Sequence, residues 1–239
     1  MRKNKLLILI VLALIVIFMT TITLSFYLSS SIEPDNISYS LKEAKIKLLG
    51  NTSYGSVSRM GPYGNTKSPV KIAYITGVHP LEYKSHQALI KTILEHDKSF
   101  KYSYYIYTIN VTEDAEIYNK GRMNGQLLAN KYVVADIKKE KFDLVIDVHS
   151  NKGGWEKKWF IFSPIKGDYS ETIAQNINNN ISWLTYYDPP NPTSPEYVTI
   201  PLIKSGIPAI IYEIYTYDSD IKSKEQADEF VSVVDNMTI

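Results

Sequence analysis

The chain has no cysteine in its 239 residues. That excludes a disulfide scaffold, a zinc ribbon and a thiol nucleophile. Histidine is scarce, with four residues, His79, His86, His96 and His149. Arginine is scarcer, with Arg2, Arg59 and Arg122 against 23 lysines. A metal site in this chain must therefore be built from His, Asp and Glu. An excess of one charge is also missing: 26 basic and 25 acidic residues leave a net charge of +1. Composition thus gives no electrostatic case for nucleic acid. No internal repeat is visible, which argues against a solenoid.

One long apolar run is present. It extends from Leu6 to about Leu28 and is interrupted only by Thr20, Thr21, Thr23 and Ser25. At ~1.5 Å per residue it is long enough to cross a hydrocarbon core of ~30 Å. Arg2, Lys3 and Lys5 precede it and should hold the N-terminus in the cytoplasm. The length suits an uncleaved signal-anchor better than a cleaved signal peptide, for which Ser29 to Ser31 would offer the cleavage site. Residues 1–28 are thus expected to be a single-pass transmembrane anchor, 29–49 a stalk with a short charged helix at 41–49, and 50–239 one extracytoplasmic domain. Sequons at Asn36, Asn51, Asn110, Asn180 and Asn236 are consistent with export.

Residues 50–69, rich in Gly, Ser, Asn, Tyr and Pro, read as turns. From residue 70 the pattern alternates. Apolar runs at 70–78, 102–111, 142–148, 159–163 and 208–215 read as strands. Helical spacing occupies 82–96, 125–139, 168–182, 196–205 and 222–237, with polar or Pro-rich loops at 112–124 and 188–195. Strands alternating with helices imply an α/β fold, a mixed and mostly parallel sheet flanked by helices on both faces.

The residues that carry chemistry sit at strand ends. Gly77-Val-His79-Pro-Leu-Glu82 closes the first of these strands. Proline suits the first turn of a helix, so Glu82 should fall in that turn on the same side as His79. Asp147, His149 and Ser150 close the third strand, and Glu213 lies inside the apolar fifth, where an unpaired carboxylate would be expensive. Ligands of open α/β sheets bind outside the carboxyl ends of strands. His79, Glu82 and His149 can converge there as two imidazoles and a carboxylate. Such a set leaves an open position for water, as in catalytic zinc sites. Glu213 is then placed to handle the proton, and Asp147 to support a ligand from behind. Taken singly, Glu82 also reads as a first-turn charge favoured by the helix dipole, and Glu213 as one half of a buried ion pair.

Gly77-Val-His-Pro-Leu-Glu82, Asp147-Val-His-Ser150 and Pro208-Ala-Ile-Ile-Tyr-Glu213, in that order, resemble the zinc carboxypeptidase family, including its succinylglutamate desuccinylase and aspartoacylase branch. Tyr54-Gly-Ser-Val-Ser-Arg59 is loosely similar to the family's entry segment. The resemblance implies a mostly eight-stranded sheet, one zinc per chain held by His79, Glu82 and His149, and Glu213 as proton shuttle. It makes Arg122 a catalytic candidate as well, and Arg122, Asn124 and Ser150 candidates for holding substrate. It implies a metallocarboxypeptidase-like hydrolase of amide or peptide bonds; the expected export suggests a cell-envelope peptide as substrate. An N-acyl amino acid deacylase and a non-catalytic binding domain on the same fold are the alternatives. One departure stands out. The family's paired Asn-Arg is not reproduced in Asn119-Lys-Gly-Arg122-Met-Asn124-Gly. Tyr186, Tyr187 and Tyr197 are candidates to cover the substrate.

Overall fold

The computed structural model describes residues 46–239. The expected anchor at 1–28 and nearly all of the stalk lie outside the described residues. Among those described, no helix is long and apolar enough to cross a membrane.

Eight strands form one sheet. They are β1 (Lys47–Thr52), β2 (Gly55–Gly64), β3 (Lys71–Thr76), β4 (Ser103–Val111), β5 (Leu144–Asn151), β6 (Phe160–Phe162), β7 (Thr185–Tyr186) and β8 (Ala209–Tyr215), in the spatial order β1-β2-β4-β3-β5-β8-β6-β7. The central run β4-β3-β5-β8 is parallel, as is the β6–β7 pair. The β1–β2, β2–β4 and β6–β8 pairs are antiparallel. Unbroken apolar runs such as Leu144-Val-Ile suit parallel strands covered on both faces.

The helices are α1 (Tyr83–His96), α2 (Tyr118–Leu128), α3 (Val134–Glu140), α4 (Tyr169–Asn180), α5 (Thr199–Ile203) and α6 (Asp220–Asn236). A π-helical turn, Ala129–Val133, joins α2 to α3. Helices α4 and α6 are started by Asp168 and Ser219, whose side-chain oxygens accept from Ser170 N and Lys222 N. Alternation along the strands divides the core in two. Ile72, Tyr74, Ile146, Val148, Ile210 and Tyr212 face α1, α4 and α6. Ala73, Ile75, Val145 and Ala209 face α2, α3 and α5. Helices thus cover both faces, as the alternation implied.

Three expectations are corrected. The helix expected at 41–49 is instead the start of β1 from Lys47 onward. The stretch read as turns, 50–69, contains the ten-residue strand β2, whose Val57 and Tyr63 are buried while neighbours are half-exposed. Its Ser, Tyr and Gly residues are poor local signals, and pairing to β4 from Gly55↔Val111 onward decides its conformation. The loop expected at 112–124 ends early, because α2 begins at Tyr118. Gly121 and Gly125 suggested a turn, yet Gly125 serves a close approach. A Cβ there would stand 2.0 Å from the Val78 carbonyl oxygen.

Arg59 is committed to this scaffold. Its Nη1 lies 2.7 Å from Asp136 and 3.0 Å from Glu140, and the Tyr107 hydroxyl also donates to Asp136.

Candidate metal centre

β3 ends at Thr76, and Gly77 turns the chain at φ +86°. A Cβ at that position would fall 2.1 Å from the Ile109 carbonyl oxygen, so both conformation and space require glycine. The turn places His79 before the short 3₁₀ turn Pro80–Glu82, in which Glu82 N donates to the His79 carbonyl. Glu82 consequently faces back toward His79, with 3.0 Å between Oε1 and His79 Nδ1. Its other oxygen, Oε2, lies 2.8 Å from His149 Nδ1 and accepts from Ser150 N at 3.1 Å. The His79 and His149 rings are 4.4 Å apart, and one donor atom from each of the three side chains falls within 4.8 Å of the others. All three residues are buried.

Two Nδ1 atoms and a carboxylate aimed at one point fit a divalent cation. The rear atoms of the rings fit too. His149 Nε2 is 3.0 Å from Asp147 Oδ2, an ion-pair distance. Those atoms nonetheless miss hydrogen-bond alignment, and Asp147 has no other partner. The contact supports His149 electrostatically. His79 Nε2 stands 3.1 Å from Gln126 Nε2. With Nδ1 turned to the cation, Nε2 carries the proton, and the Gln126 carboxamide turned over presents its oxygen to it.

The charges of the two histidines diverge. Burial, reinforced by His149, outweighs the Glu82 carboxylate and lowers His79 to about 4, so it is neutral. Burial also opposes charge on His149, but Asp147 and Glu82 outweigh it and hold its pKa well above the usual value. Glu82 is kept well below the usual carboxylate range, because His79 and His149 overcome its burial.

β5 and β8 run parallel with His149 in register with Glu213. The two side chains therefore leave neighbouring strands on the same face. Glu213 Oε2 accepts from Asn151 Nδ2 at 3.3 Å. Burial, then the Glu82 charge, pushes Glu213 up to about 8 against the pull of His149, Asn151 and Arg122. Arg122, on α2, donates from Nη1 to Glu82 Oε1 at 2.8 Å. Glu82, Glu213, Asn151 and Arg122 line one cleft of about 580 Å³, with Tyr118, Ser150, Lys152, Trp155 and Thr193, and His149 stands buried behind it.

The structure thus brings His79, Glu82, His149, Glu213, Arg122 and Ser150 together. Ser150 contributes mainly its backbone N–H, since its hydroxyl is taken by Thr216 Oγ1 at 3.0 Å. Asn124 is not in the cleft. Its Nδ2 donates to the Glu113 carbonyl, because on α2 it points away from Arg122. Tyr186 bonds Glu171, while Tyr187 and Tyr197 line a neighbouring groove rather than the cleft. His86 stands behind the site, with Nε2 3.0 Å from the Val148 carbonyl. His96 is at the surface, 3.6 Å from Asp228.

Sequence reasoning missed Gln126 and Asn151. Gln126 lies one helical turn after Arg122, and reading 112–124 as loop hid that spacing. Asn151 shares the strand face of Asp147 and His149 by simple alternation.

In sequence, no family model and no curated protein matches the chain. In structure it is similar to a metallo-carboxypeptidase from Pseudomonas aeruginosa in complex with (2-guanidinoethylmercapto)succinic acid. That match has 15% identity and a TM-score of 0.53, over 75% of this chain and 60% of that one. A metallo-carboxypeptidase from Burkholderia cenocepacia matches at 11% identity and a TM-score of 0.51, over 84% of this chain and 68% of that one. A succinylglutamate desuccinylase/aspartoacylase from Rhodobacter sphaeroides, at 9% identity and a TM-score of 0.47 over 75% of this chain and 57% of that one, is too distant to carry an argument. The chain spans less than two thirds of the first of these structures. At such identities the likeness concerns the fold: this chain has the fold of the metallo-carboxypeptidases, with a His-Glu-His donor set that could hold a metal ion.

Proposed function

We propose that this chain is a zinc-dependent hydrolase of amide or peptide bonds. The observation that carries the reading is the register of β5 and β8. It sets a free carboxyl, Glu213, beside a convergent donor set of His79 Nδ1, Glu82 and His149 Nδ1. A bound zinc would supply Lewis acidity and a water of lowered pKa at this position, one ion per chain.

The chain's own groups do the rest. Ser150 N donates to Glu82 Oε2 and Arg122 Nη1 to Oε1, and these bonds orient the carboxylate within the donor set. With a dication held beside it, Glu213 would ionise below about 8, and its carboxylate, held by Asn151, would accept the proton of the attacking water and return it to the leaving nitrogen. Arg122 supplies N–H donors to the carbonyl oxygen as negative charge builds on it.

The apolar run at 6–28 with its basic flank supports a membrane anchor and an extracytoplasmic domain, and hence an envelope peptide as substrate. Two assays test this section. Full-length protein supplied with zinc is incubated with blocked peptides and N-acyl amino acids, with and without chelator. Chelator-sensitive release of a free amine is expected, and its absence across both classes would sink the hydrolase reading. Protease treatment of intact cells should remove the 50–239 domain; full protection would place it inside.

A further inference from the structure

The two strands that lead to His79 and His149 separate just below the metal centre. β3 and β5 pair in parallel from Ile72↔Leu144 to Ile75↔Asp147. β3 then ends at Thr76, whereas β5 runs on to Asn151. On its other side β5 stays paired with β8 as far as Asn151↔Tyr215. From Val148 onward, one edge of β5 has therefore lost the strand that served it. Its backbone groups are buried, and a buried N–H or C=O left without a partner is costly.

Two side chains from the start of α1 take over that edge. Glu82 Oε2 accepts from Ser150 N at 3.1 Å. His86, one helical turn further on, places Nε2 3.0 Å from the Val148 carbonyl oxygen. The spacings match. Residues 82 and 86 stack on one side of the helix, and residues 148 and 150 present their backbone groups to one edge of the strand. One of the two side chains is a candidate metal ligand and the other is not.

His86 also meets the second ligand-bearing segment. Its Nε2 is 3.4 Å from the backbone N of Gly77, where the chain turns toward His79. A ring nitrogen holds either a proton or a lone pair. Burial lowers His86 to about 4, so the ring is neutral, and the shorter contact assigns its proton to Nε2 as donor to Val148. The buried ring is thus wedged in the fork between β3 and β5, on the helix that follows Glu82.

We propose that His86 is a positioning residue of the metal centre: its bond to the Val148 carbonyl fixes α1 against the free edge of β5, and with it the spacing of Glu82 and His149. It acts through those two residues and holds no cation itself. This rests on the reading of His79, Glu82 and His149 as a metal site, and not on hydrolysis.

The test uses full-length protein stripped of metal and titrated with cobalt(II), whose visible absorption reports the geometry of its ligands. Affinity is measured by competition with a chelator. His86→Gln keeps an N–H donor and should bind cobalt within about threefold of wild type, with the same spectrum. His86→Leu and His86→Phe fill the space without a donor. They should bind about 10–100-fold more weakly, with an altered spectrum. Ile93→Ala, in the core two turns along α1, controls for stability. It should lower the thermal midpoint and leave cobalt affinity and spectrum unchanged. Wild-type affinity and spectrum in the two apolar variants overturns the proposal, as does an equal loss in His86→Gln or in Ile93→Ala. Failure of both apolar variants to fold would make His86 a folding residue and overturn it as well. Absence of cobalt and zinc binding by the wild-type protein is a separate result, which removes the metal centre and the proposal with it.

Discussion

The two faces of strands β5 and β8 make the most instructive comparison in the molecule. One face carries Ile146, Val148, Ile210, Tyr212 and Ile214, all sealed under α1, α4 and α6. The other carries Asp147 and His149, fully buried behind the cleft, and Asn151 and Glu213, which line it. Adjacent residues, 3.8 Å apart along the chain by backbone geometry at about that spacing, thus serve different ends. The apolar face stabilises the sheet, and the polar face holds buried charges that offset one another only in part. Damage to either face should therefore have separable consequences.

The sharpest separation is expected from His149→Ala. It should abolish metal binding while leaving a folded protein by circular dichroism; retained stoichiometric metal would break the comparison. Next comes Glu213→Gln, which keeps the donor set. Metal content should be unchanged and kcat should fall by about 10²–10⁴; wild-type turnover would remove Glu213 from proton transfer. On the opposite face, Ile146→Ala should cost about 2–5 kcal/mol in denaturant unfolding with metal stoichiometry intact in the folded fraction. A loss of metal without a loss of stability would show that the faces are not independent.

The smallest effect is one of pH. His79 is already neutral near pH 7, but His149 in the metal-free protein holds its proton well above the usual range. A ligating Nδ1 needs His149 without its second proton, so metal binding must expel one. Apparent metal affinity should rise with pH, by up to about tenfold per unit across the neutral range. Competition titrations against a chelator of known pH dependence check this, and a flat profile from about pH 6 to 8 would contradict the protonated state of His149.

Much of the site was legible because chemistry-bearing residues are rare here. With four histidines and no cysteine, two histidines at the ends of apolar strands stood out. The alternation from residue 70 onward located β3, β4, β5, β6 and β8, since buried parallel strands are written as continuous apolar runs. What escaped was decided by partners distant in sequence. β1 and β2 owe their form to pairing on the edge of β4, and their own Gly, Ser and Tyr residues say little. The two-residue β7 exists through its pairing with β6. In α2, Gly121 and Gly125 argued locally for a turn, while Gly125 was needed so that the helix could touch Val78. The resemblance put Asn124 in the substrate set, and reading 112–124 as loop hid that Gln126 follows Arg122 by one helical turn.

The central claim is that His79, Glu82 and His149 hold a cation. Elemental analysis of purified full-length protein tests it directly, with His79→Ala prepared in parallel. The account predicts about one zinc per wild-type chain, as for a three-ligand catalytic site, and none in the variant. Metal-free wild-type protein after reconstitution with zinc would contradict it, and would leave a carboxypeptidase-like fold whose cleft binds without cleaving.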